Sequence, residues 1–254
     1  MLKYRLIAVI LIKDGFVVQS EGFKHTNAIH YDPVIAIDSF NGWSVDEIIV
    51  LNVSRNKESK IDFLNIIRKI SSSCFVPLSV GGYIEDLTYA KLLIANGADK
   101  IVINTNAVNN PEFITELAES LGKQCLIVSV DVKLLEKNEY LVVTDRGRHF
   151  TSLNPIEWIK KAESMGAGEI FINSVNHDGL RKGYFLELYK QVASAIKIPL
   201  IVMGGVSSWE HLAEGIEIAG ADAVAAANIF HYTEHSTKKA KQYLLNKNFK
   251  FRKI

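Results

Sequence analysis

The chain has 254 residues, with 29 Lys and Arg against 28 Asp and Glu, for a formal net charge of +1. That balance supplies no broad basic field for nucleic acid, and no run reaches the roughly 18 apolar residues needed to cross a bilayer. The length suits one (β/α)8 barrel, which takes roughly 250 residues, while Cys74 and Cys125 are too few for a disulfide framework and fit a reducing cytoplasm as core thiols.

Lys3 and Arg5 precede an apolar run at 6–12, and Lys13-Asp14-Gly15 stops it too early for a signal sequence. Further short runs, mostly rich in Val and Ile, follow at 48–53, 76–80, 100–103, 125–132, 169–172, 199–203 and 223–227. Most end in Gly, Asn or Asp, as buried parallel strands do. Amphipathic helical patterns lie between them at 61–71, 86–96, 110–121, 155–165, 184–196 and 209–218. Eight strands alternating with helices predict an α/β fold, a (β/α)8 TIM barrel forming one domain over 1–254. An open doubly wound sheet is the alternative. The segment 134–150 is long for a plain connection, and 140–144 alternates as a small hairpin over the barrel mouth would. The basic tail 246–254 reads as a loosely held, solvated end. Trp43, Trp158 and Trp209 read as core or shell residues.

One piece of the chain recurs. Pro77-Leu-Ser-Val-Gly-Gly82 is followed by Gly97-Ala-Asp99, and Pro199-Leu-Ile-Val-Met-Gly-Gly205 by Gly220-Ala-Asp222, at an offset of 122 or 123 residues. Self-similarity at half the chain length predicts two half-barrels, about 1–122 and 123–245. Each half ends a buried strand in paired glycines, Gly81-Gly82 and Gly204-Gly205, with polar strand ends beside them at Asn104-Thr105 and Ala227-Asn228. Glycine turns expose backbone N–H groups that suit phosphate. One such pair is only a tight turn; two at symmetric positions favour a phosphorylated ligand with a phosphate at each end. Asp178-Gly179 could cap one site, although Asp-Gly is also a common turn.

Asp131 ends the fifth predicted strand, where a carboxylate is either a general acid/base or a salt-bridge partner of Lys133. The repeat aligns it with Leu11 at the end of the first strand. Leucine carries no proton, so a mechanism needing acid and base on opposite sides of the mouth is compromised. At the other end of the barrel, Arg5, Glu47, Lys100 and Glu169 stand near the starts of strands one, two, four and six. Arg5 is in phase with Leu11, Lys100 with Asn104 and Glu169 with Asn173. The spacing allows either a balanced charged ring around the axis, serving as a polar gate, or four unconnected surface charges. His231 and His235 lack a third metal ligand, and no P-loop or dinucleotide fingerprint is present, so neither metal nor cofactor is expected.

Across its length the chain resembles the cyclase subunit of imidazole glycerol phosphate synthase, HisF. The motifs are Lys13-Asp-Gly15, Val80-Gly-Gly82, Gly97 to Asn104, Asp131 with Lys133, Gly166 to Ile170, Asp178-Gly179, Gly204-Gly205 and Phe230-His231. The resemblance implies a barrel with two phosphate sites that docks a HisH-like glutaminase at its floor and passes ammonia to a doubly phosphorylated substrate. It makes Arg5, Glu47, Lys100 and Glu169 the ammonia gate, Asp99 an interface residue, and Asp131 one of two catalytic aspartates, with Leu11 at the other's place. It also marks departures at the mouth: Gln19 for a phosphate-gripping lysine, Asn52 for an aspartate, Tyr83 for a third glycine and Asn228 for a small residue such as serine. A kept floor below an altered mouth resembles a divergent HisF-like branch. Its members accompany a glutaminase and a sugar amidotransferase in surface-polysaccharide synthesis. The resemblance thus implies ammonia delivery for sugar amidation, with a working histidine-pathway cyclase as the alternative. A sugar-phosphate isomerase on the same plan also needs the carboxylate that Leu11 replaces, and a scaffold without chemistry stays open.

Overall fold

Val- and Ile-rich runs that are apolar on both faces need a sheet covered by helices on one side and filled on the other. The computed structural model, which describes residues 4–56, 59–135 and 139–253, resolves the runs into twelve strands among the described residues. In chain order its elements are β1 (Arg5–Lys13), β2 (Phe16–Glu21), β3 (His25–His30), α1 (Pro33–Gly42), β4 (Glu47–Asn52), α2 (Ser59–Ser71) and β5 (Leu78–Gly81). Then come α3 (Leu87–Ala95), β6 (Lys100–Ile103), α4 (Thr105–Asn109), α5 (Glu112–Leu121), β7 (Leu126–Leu134), β8 (Tyr140–Thr144) and β9 (His149–Phe150). The chain continues through α6 (Pro155–Ser164), β10 (Glu169–Ser174), α7 (Leu186–Ala195), β11 (Leu200–Met203), α8 (Trp209–Glu217), β12 (Ala223–Ala226) and α9 (Ser236–Asn246).

Eight of these strands, β1, β4, β5, β6, β7, β10, β11 and β12, pair in parallel, and β12 returns to β1. This is the closed (β/α)8 barrel, and closure leaves no bare edge. Alternation along each strand sends one set of side chains outward to the helices and the other into the barrel. The interior set includes Ile7, Val9 and Leu11 of β1, Ile49 of β4, Val102 of β6, Ile127 of β7, Phe171 of β10 and Ala223 and Ala225 of β12.

The two halves repeat at the level of capping. Asp99 Oδ2 accepts the Leu78 N–H at 2.7 Å, and Asp222 Oδ2 accepts the Leu200 N–H at 3.0 Å. Each aspartate thereby anchors the start of a glycine-ended strand. Asp86 and Ser208 then serve as N-caps of α3 and α8, accepting from Tyr89 and His211.

Several sequence expectations need correction. The stretch 16–30 forms the β2–β3 hairpin, launched by Asp14 and Gly15 at positive φ. Helices α1, α4 and α9 were not expected either, while the pattern at 110–121 forms α5, which starts after Pro111. The tail is not loose. Phe249 and Phe251 pack on Tyr4 at ring separations of 5.8 and 5.9 Å, Phe251 is buried, and the Tyr4 N–H donates to Lys250. Aromatics outweigh the basic composition there. Cys74 and Cys125 are free but half-buried, not core thiols. The segment after β7 does fold back: β8 pairs antiparallel with β7 and with β9, and its tip reaches the mouth. Trp158 is buried, while Trp43 and Trp209 pack against the core from its edge. No helix among the described residues is long and apolar enough to cross a membrane.

Candidate functional site

At the floor, Arg5 reaches both carboxylates, with Nη1 to Glu47 Oε1 at 2.9 Å and Nη2 to Glu169 Oε2 at 2.7 Å. Lys100 Nζ closes the circuit to Glu169 at 2.6 Å and to Glu47 at 3.4 Å. Two cations and two anions thus alternate around the barrel axis. The carboxylates are buried and the cations partly open to the floor, with side-chain exposures of 8% against 23% and 17%. Burial alone would lower the Arg5 pKa, but the hydrogen bonds and charges of Glu169 and Glu47 hold it above its usual value. Burial would raise Glu169, and Arg5 and Lys100 hold it below the usual carboxylate range. Asp99 is exposed at the same end, with one oxygen committed to Leu78. Phe75, shortly before the start of β5 at Leu78, is 83% exposed.

Above the ring the interior is lined by apolar side chains, among them Ile7, Ile49, Ile127, Phe171 and Ala225. Ser79, fully buried on β5, has a hydroxyl with no hydrogen-bond partner among the described residues. Higher up, the carbonyl oxygens of Asn104 and Asn173 are likewise without partners among the described residues. Buried polar atoms of this kind call for a guest that can hydrogen-bond.

The mouth opens into a cavity of about 520 Å³ lined by Leu11, Asn104, Asp131, Asn173 and Asp178. Asp131 accepts from Asn104 Nδ2 at 2.9 Å. Burial pushes its pKa up to about 7, against the Asn104 hydrogen bond, and the charge of Asp178 adds to the rise. The residue aligned with it, Leu11, stands on β1, four strands around the closed ring from β7. The carboxylate that follows β1, Asp14, borders a separate cavity with Gly15 and Asn52. Asp178 follows β10, the neighbour of β7, and accepts from Ser20 Oγ at 2.8 Å. Burial pushes Asp178 up to about 6, opposed by hydrogen bonds from Ser20 and Phe23. The mouth therefore keeps two carboxyl groups with raised pKa values. Lys133, the expected salt-bridge alternative for Asp131, lies over the Phe150 ring instead, its Nζ 4.6 Å from the centroid.

The two glycine turns differ. Gly204 and Gly205, at φ +111° and +83°, border a separate cavity of about 340 Å³ with Gly179, Arg181, Ser207, Ala227 and Asn228. A Cβ on Gly205 would meet the Gly183 carbonyl at 2.4 Å, so the backbone there is bare by necessity. The Asn228 side chain is tied to β2, donating to Ser20 O at 2.8 Å. At the other turn, Gly81 and Gly82 are followed by Tyr83 in the left-handed region, φ +54°. The Tyr83 hydroxyl donates to Ser54 O and accepts from Arg146 Nη2 at 3.2 Å. Arg146 Nη1 donates to Val53 O and Ser54 O at 2.9 and 2.8 Å. Thr105 Oγ1 accepts the Asp145 N–H at 3.1 Å. The β8–β9 tip thus closes on this turn. Arg146, Arg181, Ser20 and Ser54 were absent from the sequence reading; the compact Asp145-Arg-Gly-Arg148 tip was the available signal for the first. His231 and His235 do not share a helix face: His231 ends a short 3-10 turn beside Phe40, and His235 precedes α9.

A model of the histidine biosynthesis protein family matches residues 5–236. The chain is also 42% identical over 250 residues to a Vibrio vulnificus (strain YJ016) protein named as imidazole glycerol phosphate synthase subunit hisF2, covering 97% of this chain and 90% of that protein. The chain belongs to the HisF family. A Clostridium botulinum (strain Okra / Type B1) relative, named imidazole glycerol phosphate synthase subunit HisF, is 37% identical over 253 residues, covering 99% of this chain and all of that protein. This HisF-family barrel therefore combines a closed ring of charges at its floor with a mouth whose first strand ends in leucine.

Proposed function

We propose that the chain receives ammonia from a HisH-like glutaminase docked at its floor and delivers it through the barrel for amidation of a nucleotide-linked or lipid-linked sugar in surface-polysaccharide synthesis. The observation that carries this reading is the four-charge ring. Arg5, Glu47, Lys100 and Glu169 satisfy one another, so the floor can stay polar without an unpaired buried charge. A small neutral molecule that donates and accepts hydrogen bonds suits such a ring, above which the buried oxygens of Ser79, Asn104 and Asn173 lack partners among the described residues. Exposed Asp99 and Phe75 supply docking chemistry for the partner face.

Reconstitution with the cognate glutaminase and a sugar amidotransferase tests it. Glutamine-dependent amidation should require this chain; equal amidation without it would refute the reading.

The second reading is an active cyclase of histidine biosynthesis. It is favoured by Asp131, whose pKa near 7 suits proton transfer at neutral pH. Against it stands Leu11, since loss of a positioned acid or base costs about 10²–10⁴-fold. Turnover of the cyclase substrate with ammonium salt separates the two.

A further inference from the structure

We propose that Asp46 and Lys241 are positioning residues for the floor ring, a buried ion pair through which α9 holds Arg5 and Glu47 where their side chains meet. This deepens the proposed function, resting on its reading of the ring as the ammonia gate, while the positioning itself is read from the folding equilibrium of this chain alone.

All four ring residues open their strands: Arg5 on β1, Glu47 on β4, Lys100 on β6 and Glu169 on β10. Strand ends are where a ladder frays, and a slip of one residue turns every side chain to the other face. The residue before Glu47 guards against both. The Asp46 N–H donates to Leu6 O at 2.9 Å, and Asp46 Oδ2 accepts the Leu6 N–H at 2.9 Å. This reciprocal bond joins the neighbours of Glu47 and Arg5. Asp99, which precedes Lys100, binds Leu78 in the same way, its N–H donating to Leu78 O at 2.8 Å. Asp222 repeats the pattern with Leu200, and its own carbonyl accepts the Arg5 N–H at 3.2 Å.

Asp46 is set apart by what holds its other oxygen. Lys241, fully buried on α9, donates to Asp46 Oδ1 at 2.5 Å and to Ser44 O at 2.6 Å. Near the start of the same helix, Thr237 Oγ1 donates to Trp43 O at 2.9 Å. Helix α9 therefore grips residues 43, 44 and 46, the approach to Glu47. Ser44 lies in the left-handed region at φ +64°, so this approach is a turn that needs an outside hold. A buried ion pair adds little stability over apolar side chains of the same volume, because both charges leave water. What it adds is direction. Lys241 takes one carboxylate oxygen and leaves the other for Leu6, which an apolar side chain filling the same space could not do.

A double-mutant cycle in urea tests the proposal. Glu47→Gln should cost about tenfold less in the folding equilibrium constant when Lys241→Met is already present, because the ring is then already displaced. Ile103→Val, at the end of β6 remote from Lys100, should cost the same in both backgrounds. Lys241→Gln, which keeps a hydrogen bond to Asp46 without the charge, takes the place of Lys241→Met if that variant does not fold, with the same sign expected. Costs of Glu47→Gln that agree within about twofold in the two backgrounds would overturn the proposal. Equal coupling at Ile103 would overturn it too, since that means general loosening of the barrel. With the cognate glutaminase and a sugar amidotransferase present, the Lys241 variant should lose glutamine-driven amidation and keep amidation driven by added ammonium. Coupling in the cycle without that loss would support the positioning and count against the ammonia reading alone.

Discussion

Arg5 and Glu169 meet at 2.7 Å across the barrel floor although 164 residues separate them. Arg5 opens β1 and Glu169 opens β10, and closure of the sheet points both starts at the same axis. Nothing local to either residue requires the contact. Its consequence is a floor whose four charges pair and sum to zero.

Removing Arg5 should therefore uncouple the floor from the mouth. In Arg5→Ala, Glu47 and Glu169 keep Lys100 alone as a charge partner within the ring. Allowing for the partial exposure of Arg5, the loss should be about 2 kcal/mol, a fall in Tm of about 4–8 °C by calorimetry. Amidation driven by glutamine should fall, while amidation driven by added ammonium persists. Equal loss of both would show that the ring does not govern passage.

Asp131 should make stability depend on pH. Its folded pKa, about 7, lies above the ordinary 3.8. Its contribution is therefore fully present below about pH 4 and is lost as pH rises through about 7. Asp131→Asn keeps a hydrogen-bonding partner for Asn104 and removes the charge. It should match the parent near pH 4 and exceed it by a few kcal/mol at pH 8 in urea titrations. A constant difference across that range would mean that Asp131 is not titrating in the fold.

The cyclase should be weak in the parent and recoverable by one change. Leu11→Asp restores a carboxylate opposite Asp131, and a positioned acid or base is worth about 10²–10⁴-fold. Cyclase turnover with ammonium salt should rise measurably in Leu11→Asp. High turnover in the unaltered chain would instead assign it to histidine synthesis and make Asp178 the candidate second carboxyl group.

Lys241 should be a stability residue. It is fully buried on α9, donating to Ser44 O at 2.6 Å and to Asp46 Oδ1 at 2.5 Å, while Asp46 also accepts the Leu6 N–H that starts the inner strand. Burial lowers its pKa, with Asp46 opposing that shift. Lys241→Met should cost about 3 kcal/mol, or about 6–12 °C in Tm, because Asp46 loses its buried cation. An unchanged Tm would show that Arg252, 3.5 Å from Asp46, suffices.

Strand periodicity, the glycine-ended repeat and the phase of Arg5, Lys100 and Glu169 were legible in the chain because each is a local pattern. A run of β-branched residues fixes a strand, and a period of two fixes which residues share its face. The leucine at position 11 opposite Asp131 was legible for the same reason. The tertiary structure decided what those patterns meet. Tyr83 and Arg146 are 63 residues apart and Ser20 and Asp178 are 158 apart, and their pairing depends on where two hairpins fall over a closed barrel. The same holds for the tail, whose lysines suggested solvent while Phe249 and Phe251 found Tyr4. Local sequence sets faces and phases; loop crossings and long-range packing, which no periodicity encodes, choose the partners.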